Sequence, residues 1–114
     1  MNKLFTPNGW QDYVYWQTED KKTLKKINKL IDDISRNGNE GIGKPEPLIG
    51  NFKGFWSRRI NDKDRLIYKI DEGAIYIISC RQHYTDHSTE YIKIDRCILL
   101  FRNTNSICTS QRQV

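Results

Sequence analysis

Two short stretches hold most of the chemistry this chain can offer. The first, GKPEPLIGNFKGFWSRRI at positions 43–60, sets one carboxylate, Glu46, between two prolines and a short distance ahead of the pair Arg58 and Arg59. A further arginine follows at Arg65, and the run CRQHY adds Arg81, His83 and Tyr84. A carboxylate, an imidazole and several guanidinium groups are a toolkit for cleaving RNA without a metal. The 2′-hydroxyl is a nucleophile already built into that substrate. A base removes its proton, an acid protonates the departing 5′-oxygen, and cations hold the charge on the phosphorane. Carboxylate and histidine can divide the proton work, each worth roughly 10²- to 10⁴-fold. Arginine suits the phosphate because its planar fork stays charged and binds two oxygens at once. Flanking prolines remove two amide donors and forbid a helix, so Glu46 is expected to stay aimed at substrate rather than relax toward an arginine. DNA, lacking the 2′-hydroxyl, could be held by such a site but not cut this way.

These side chains need elements to position them. Residues 2–5 read as a short strand. Thr6-Pro7 is a helix entry, with a hydroxyl cap and proline at the first helical position, and the spacing of Trp10, Tyr13 and Val14 predicts a helix over 7–18. Asp20 caps a second helix running to about Asn37, with Leu24, Ile27, Leu30, Ile31 and Ile34 as its apolar stripe and Gly38 as its C-terminal stop. After a loop over 38–51 come three alternating runs, 55–60, 65–70 and 74–80, joined by turns rich in Asn, Asp and Gly. Short connections make this an antiparallel meander. The expected fold is α+β: an N-terminal strand, a two-helix hairpin, then the meander, with the helices on one face and the other face free for function. Register decides whether the arginines act together. A loop with an odd number of residues, such as 60–64, puts Arg59 and Arg65 on one face, and an even number separates them; the sequence leaves both open.

At 114 residues the chain has room for one modest core. Its net charge of +5 suits a polyanionic partner, and Lys21, Lys22, Lys25, Lys26 and Lys29 form a like-charged stripe on the second helix. Cys80, Cys97 and Cys108 are an odd set without CxxC spacing, which argues against a disulfide framework and a zinc site. No metal or other cofactor is expected. No run approaches the roughly 18 apolar residues of a membrane span, and the N-terminus lacks signal-peptide character, so the expected location is the cytoplasm. The tryptophans Trp10, Trp16 and Trp56 are expected to pack, and His87 has no evident chemical partner.

The segments WQDYVYWQTEDKKTLKKINKLIDDI, GIGKPEPL, GFWSRRI, DRLIYKI and CRQHY, in that order, resemble the YoeB branch of the RelE superfamily, toxins of bacterial toxin–antitoxin pairs. The resemblance is nearly collinear over residues 1–84. It implies an α+β fold related to microbial ribonucleases and metal-independent cleavage of mRNA in the ribosomal A site, leaving a 2′,3′-cyclic phosphate and a 5′-hydroxyl. It also implies a YefM-like antitoxin, operator DNA reached through that antitoxin, and homodimerisation as a common assembly. Carried over residue by residue, it makes Glu46 the general base, Arg59 and Arg65 the phosphate-stabilising pair, His83 the general acid and Tyr84 the residue that orients mRNA. Lys21, Lys22, Lys25, Lys26, Lys44 and Arg58 are then the expected RNA contacts. Arg81 receives no role.

Two departures stand out. Ile49 and Gly50 occupy positions where family members usually carry a basic residue followed by histidine or tyrosine. The chain also runs on past Tyr84, so the expected organisation is a toxin domain over 1–84 and an extension over 85–114. An extension folded over the RNA groove would turn the protein into a restrained relative, a module binding antitoxin and operator rather than cutting RNA. A general binder of single-stranded RNA is the remaining alternative.

Overall fold

Thr6 opens the first helix, α1 (Pro7–Glu19), with its hydroxyl accepting from the Gly9 amide at 3.0 Å and Pro7 at the first helical position. The same hydroxyl donates to the carbonyls of Ile77 and Ile78, so this cap also fastens the helix to the sheet. Asp20 closes α1 and starts α2 (Lys21–Asn37). Its own amide reaches the Trp16 carbonyl, and its carboxylate accepts from the amides of Lys22 and Thr23. Gly38, at φ +68°, ends α2 and donates to the Ile34 carbonyl. These caps account for why two helices can turn on a single residue.

The computed structural model describes residues 1–81. Its strands are β1 (Asn2–Phe5), β2 (Glu46–Pro47), β3 (Trp56–Arg59), β4 (Arg65–Asp71) and β5 (Ala74–Ser79), in the spatial order β1-β5-β4-β3-β2. The meander β3-β4-β5 is antiparallel, as expected, and β2 extends it at the far edge. The sheet as a whole is mixed, because β1 lies parallel to β5, pairing Lys3 with Ile75 and Phe5 with Ile77. The two helices carry the chain across one face to the far edge, and the meander then works back to β1.

The main core lies between helices and sheet. Ile27, Leu30, Ile31 and Ile34 of α2 and Tyr13 and Trp16 of α1 close over Phe5, Leu66, Tyr68, Ile75 and Ile77. Trp10 and Trp56 pack against its margin, so all three tryptophans are packing residues. The opposite face is not wholly free. Leu48, Phe52 and Phe55, from the segment between β2 and β3, fold over Ile67 and Ile78 as a second, smaller core. An irregularity in the β4–β5 ladder assists: Ile67 pairs with Ser79 while Tyr68 pairs with Ile77, which leaves Ile78 as the extra residue. What stays open on that face is the corner formed by β2, β3 and the start of β4.

Candidate active site

That corner is where the chemistry gathers. Arg59 pairs directly with Arg65 across β3 and β4, and Glu46 pairs with Ser57 across β2 and β3. Directly opposed residues share a face, as do alternate residues on one strand. Glu46, Ser57, Arg59 and Arg65 therefore rise from the same side of three adjacent strands. Together with Lys44 they line a shallow cleft of about 60 Å³. The odd register is the one adopted, set by the 60–64 turn. There the Asn61 side-chain oxygen accepts from the amides of Lys63 and Asp64, and the Ile60 amide reaches the Asp64 carbonyl.

Each side chain is held differently. Arg65 is half-buried, and its Nη1 donates to the carbonyls of Asn61 at 2.7 Å and Asp64 at 3.1 Å, which leaves the rest of its fork for a ligand. Arg59 is exposed, with its backbone amide on the Gly43 carbonyl at 2.7 Å. Glu46 is exposed and, among the described residues, has no ion-pair partner, although three cations line the same cleft. Its backbone sits in the β2–β3 ladder between Pro45 and Pro47. Beyond it, the Leu48 amide bonds to the Phe55 carbonyl and the Leu48 side chain anchors in the small core. Proline on both sides, a strand partner and a buried anchor two residues on restrain the backbone that carries the carboxylate. Ile49, just beyond, is 80% exposed at the end of this segment, and Gly50 follows at φ +66°.

Arg58 must be corrected. Expected among the RNA contacts, it is fully buried. Alternation along β3 requires this: with Arg59 on the cleft side, Arg58 faces the helices, opposite Leu66. A buried guanidinium needs acceptors for all its N–H groups, and it has them. Nη1 donates to the Asp33 carboxylate at 2.6 Å and the Ile42 carbonyl at 3.0 Å. Nη2 donates to the carbonyls of Gly38 at 2.7 Å and Glu40 at 2.9 Å, and Nε to the Tyr68 hydroxyl at 3.2 Å. The hydrogen bond from Arg58 is the chief reason that the Asp33 carboxyl is held below the usual carboxylate range. Strand parity was the available signal, together with an acid on α2 that interrupts its solvent face.

The lysines do not join the cleft. Lys21, Lys22, Lys25 and Lys29 are exposed and Lys26 half-buried on α2, which packs on the other face of the sheet. Lys25 and Lys29 border a separate groove of about 540 Å³ with Lys3, Tyr13 and Asn28. Of the expected RNA contacts, only Lys44 lines the cleft. His83 and Tyr84 lie outside the described residues. Sequence reasoning passed over the helix α1 contacts that fix the end of β5. There the Asp12 carboxylate accepts from the Cys80 amide at 3.0 Å, and the Trp16 indole donates to the Cys80 carbonyl at 2.8 Å. Arg81 lies over the Tyr15 ring at 3.6 Å. An acid on the buried side of a helix was the one sign of this clamp. Among the described residues no group of three or more His, Cys, Asp or Glu could hold a metal ion, and no helix is long and apolar enough to cross a membrane.

Comparison with known proteins finds relatives along most of the chain. The family of YoeB-like toxins of bacterial type II toxin–antitoxin systems matches residues 5–84. Toxin YoeB of Streptomyces coelicolor is 50% identical over 84 residues, spanning 74% of this chain and all of that protein. Two structures from Staphylococcus aureus, a YoeB dimer and a heterotetrameric YoeB–YefM toxin–antitoxin complex, each align with a TM-score of 0.70 and 52% identity, covering 74% of this chain and 98% of theirs.

Proposed function

Since the chain belongs to the YoeB-like toxins of type II toxin–antitoxin systems, we propose that it arrests translation as a ribosome-dependent endoribonuclease that cleaves mRNA in the A site without a metal. In this reading the Glu46 carboxylate takes the proton of a 2′-hydroxyl, and O2′ attacks the adjacent phosphorus. The P–O5′ bond breaks, and His83 gives its proton to the departing 5′-oxygen. The products are a 2′,3′-cyclic phosphate and a 5′-hydroxyl. Arg59 and Arg65 take up the charge that builds on the phosphorane oxygens, and fixed charge of this kind is commonly the largest single catalytic contribution. Tyr84 orients the mRNA, and Lys44 adds a third cation beside the base. The lysines of α2, on the far side of the domain, face the RNA of the ribosome.

The observation that carries this reading is the convergence of Glu46, Arg59 and Arg65 on one cleft from three adjacent strands. By analogy with the YoeB–YefM complex and the YoeB dimer, the partners are a YefM-like antitoxin, through it operator DNA, and a second copy of the chain. The site of action is the cytoplasm. The test is purified protein added to ribosomes carrying a defined mRNA, with fragment ends read by mass spectrometry. Cleavage that requires ribosomes, leaves cyclic-phosphate ends and disappears with Glu46→Ala supports the assignment. Intact transcripts beside the parent protein would overturn it.

A further inference from the structure

Between α2 and the cleft runs a loop with little secondary structure, residues 38–45, yet Lys44 and Glu46 at its far end must hold their places. Glycine conformations let it bend. Gly41 and Gly43 have φ of +128° and +80°, and a Cβ at Gly43 would meet the Leu30 side chain at 2.7 Å. Lys44 itself stands at φ +50°, which L side chains rarely adopt. What holds this loop is the Arg58 guanidinium. It gathers the carbonyls of Gly38, Glu40 and Ile42 around one plane, while Asp33 pairs with it and accepts from the Ile42 amide at 3.1 Å. Arg58 is also the strand neighbour of Arg59, whose amide ties Gly43 down at 2.7 Å.

We infer that Arg58, with Asp33, is a positioning residue: a buried clasp that sets the loop carrying Lys44 and Glu46 against the cleft. It touches no substrate and acts through Glu46, so the inference rests on the reading of Glu46 as the base. Three loop carbonyls and one carboxylate need a donor of fixed shape. Lysine at this position keeps the charge but offers a compact ammonium with three donors in place of the five-donor fork, so it cannot span the same set. Small errors in the placing of a catalytic group are costly, with a shift of about 1 Å worth up to roughly 100-fold in rate.

The test is single-turnover cleavage on mRNA-programmed ribosomes with parent, Arg58→Lys, Asp33→Asn, Glu46→Gln and the double variant Arg58→Lys/Glu46→Gln. Each is first checked for folding by circular dichroism and assayed well below its melting midpoint. Expected are a fall of about 10- to 100-fold in the saturating rate for Arg58→Lys and a smaller fall for Asp33→Asn, with the half-saturating ribosome concentration little changed. In the Glu46→Gln background Arg58→Lys should cost almost nothing further, because residues acting as a unit are not additive. Hydrogen exchange at the Lys44, Glu46 and Leu48 amides, measured in the same folded variants, should speed up. Equal losses in both backgrounds, or parental rates and parental exchange in folded Arg58→Lys and Asp33→Asn, would overturn the clasp. Should Arg58→Lys not fold, Asp33→Asn carries the same comparison. A parental rate for Glu46→Gln alone would instead overturn the base assignment, and the exchange arm then decides on the clasp by itself.

Discussion

Gly9 offers a test in which two physical arguments give opposite signs. It sits in the first turn of α1, where replacing glycine by alanine on an exposed helix stabilises by about 1 kcal/mol. Here the helix lies directly on β5. A Cβ on Gly9 would stand 2.3 Å from the Ile77 carbonyl oxygen, far inside van der Waals contact. That oxygen cannot simply turn away, because it accepts from the Thr6 amide at 3.0 Å and from the Thr6 hydroxyl. Relief means lifting the start of α1, and the cap with it. Overpacking against a fixed neighbour costs about 1–3 kcal/mol, and weakening the Thr6 bonds adds about 1 kcal/mol. Against the propensity gain, Gly9→Ala should lose about 2 kcal/mol net, a fall in melting midpoint of about 8–16 °C for a domain of this size. Urea and thermal unfolding followed by circular dichroism read this directly, with Gln17→Ala on the exposed side of α1 as a control expected to move stability by no more than about 0.5 kcal/mol. A Gly9→Ala protein melting at or above the parent would show that the helix-to-sheet approach does not constrain this position, and the account of how α1 is seated would fail.

Three further outcomes follow from the site and its supports. Arg65→Lys keeps the charge but loses the fork that grips the Asn61 and Asp64 carbonyls while leaving donors for phosphate; single-turnover mRNA cleavage should fall about 10²- to 10³-fold with the fold intact, and a loss under threefold would remove Arg65 from the proposed chemistry. Asp33 has a folded pKa below its ordinary 3.8, so the unfolded chain takes up the proton at higher pH. Its stabilising contribution is complete above that ordinary value and drains away as pH falls through the folded pKa; urea midpoints across an acid series should drop less steeply in Asp33→Asn than in the parent, and identical slopes would refute the linkage. The double change Lys25→Gln/Lys29→Gln should raise the half-saturating ribosome concentration and flatten its log–log salt dependence by about 1.5, with a much smaller effect on the saturating rate. The reverse pattern would put those lysines at the chemical step.

Much of this fold was legible because its signals are local. Thr6-Pro7, Asp20 and Gly38 cap helices through hydrogen bonds to neighbours in sequence, so the expected helices over 7–18 and from Asp20 to Asn37 match α1 and α2 to within a residue. The three meander strands are likewise bounded by their own turns. What was not legible depends on pairing across long separations. A glutamate between prolines does not announce a strand; β2, Glu46–Pro47, exists because β3 offers it a ladder. The parallel β1–β5 contact joins residues about 70 apart. Leu48, Phe52 and Phe55 read as loop residues until Ile67 and Ile78 give them a face to cover. Within the site, residue types singled out Glu46, Arg59 and Arg65, which share one cleft, but placing Arg58 among the RNA contacts beside Arg59 ignored alternation along β3. One arginine had to turn inward.

The fates of Arg58 and Arg59 show how a small domain can support an unpaired carboxylate among cations. Left to itself, Glu46 would gain most by closing on the nearest guanidinium. Arg58 is removed from that competition by burial, with five hydrogen bonds that leave it no free donor. Arg65 is partly engaged by the carbonyls of its own turn. Glu46 is kept from following by two prolines and by the anchor at Leu48. A buried ion pair is seldom the most stable filling for a core, since apolar groups of similar size often do as well or better. Its use here is better understood as orientation: the same strand that presents Arg59 to the cleft holds, through Arg58, the loop that brings in the carboxylate. Strand parity sends the two arginines to opposite faces of β3, one to the loop carbonyls and the other to the cleft.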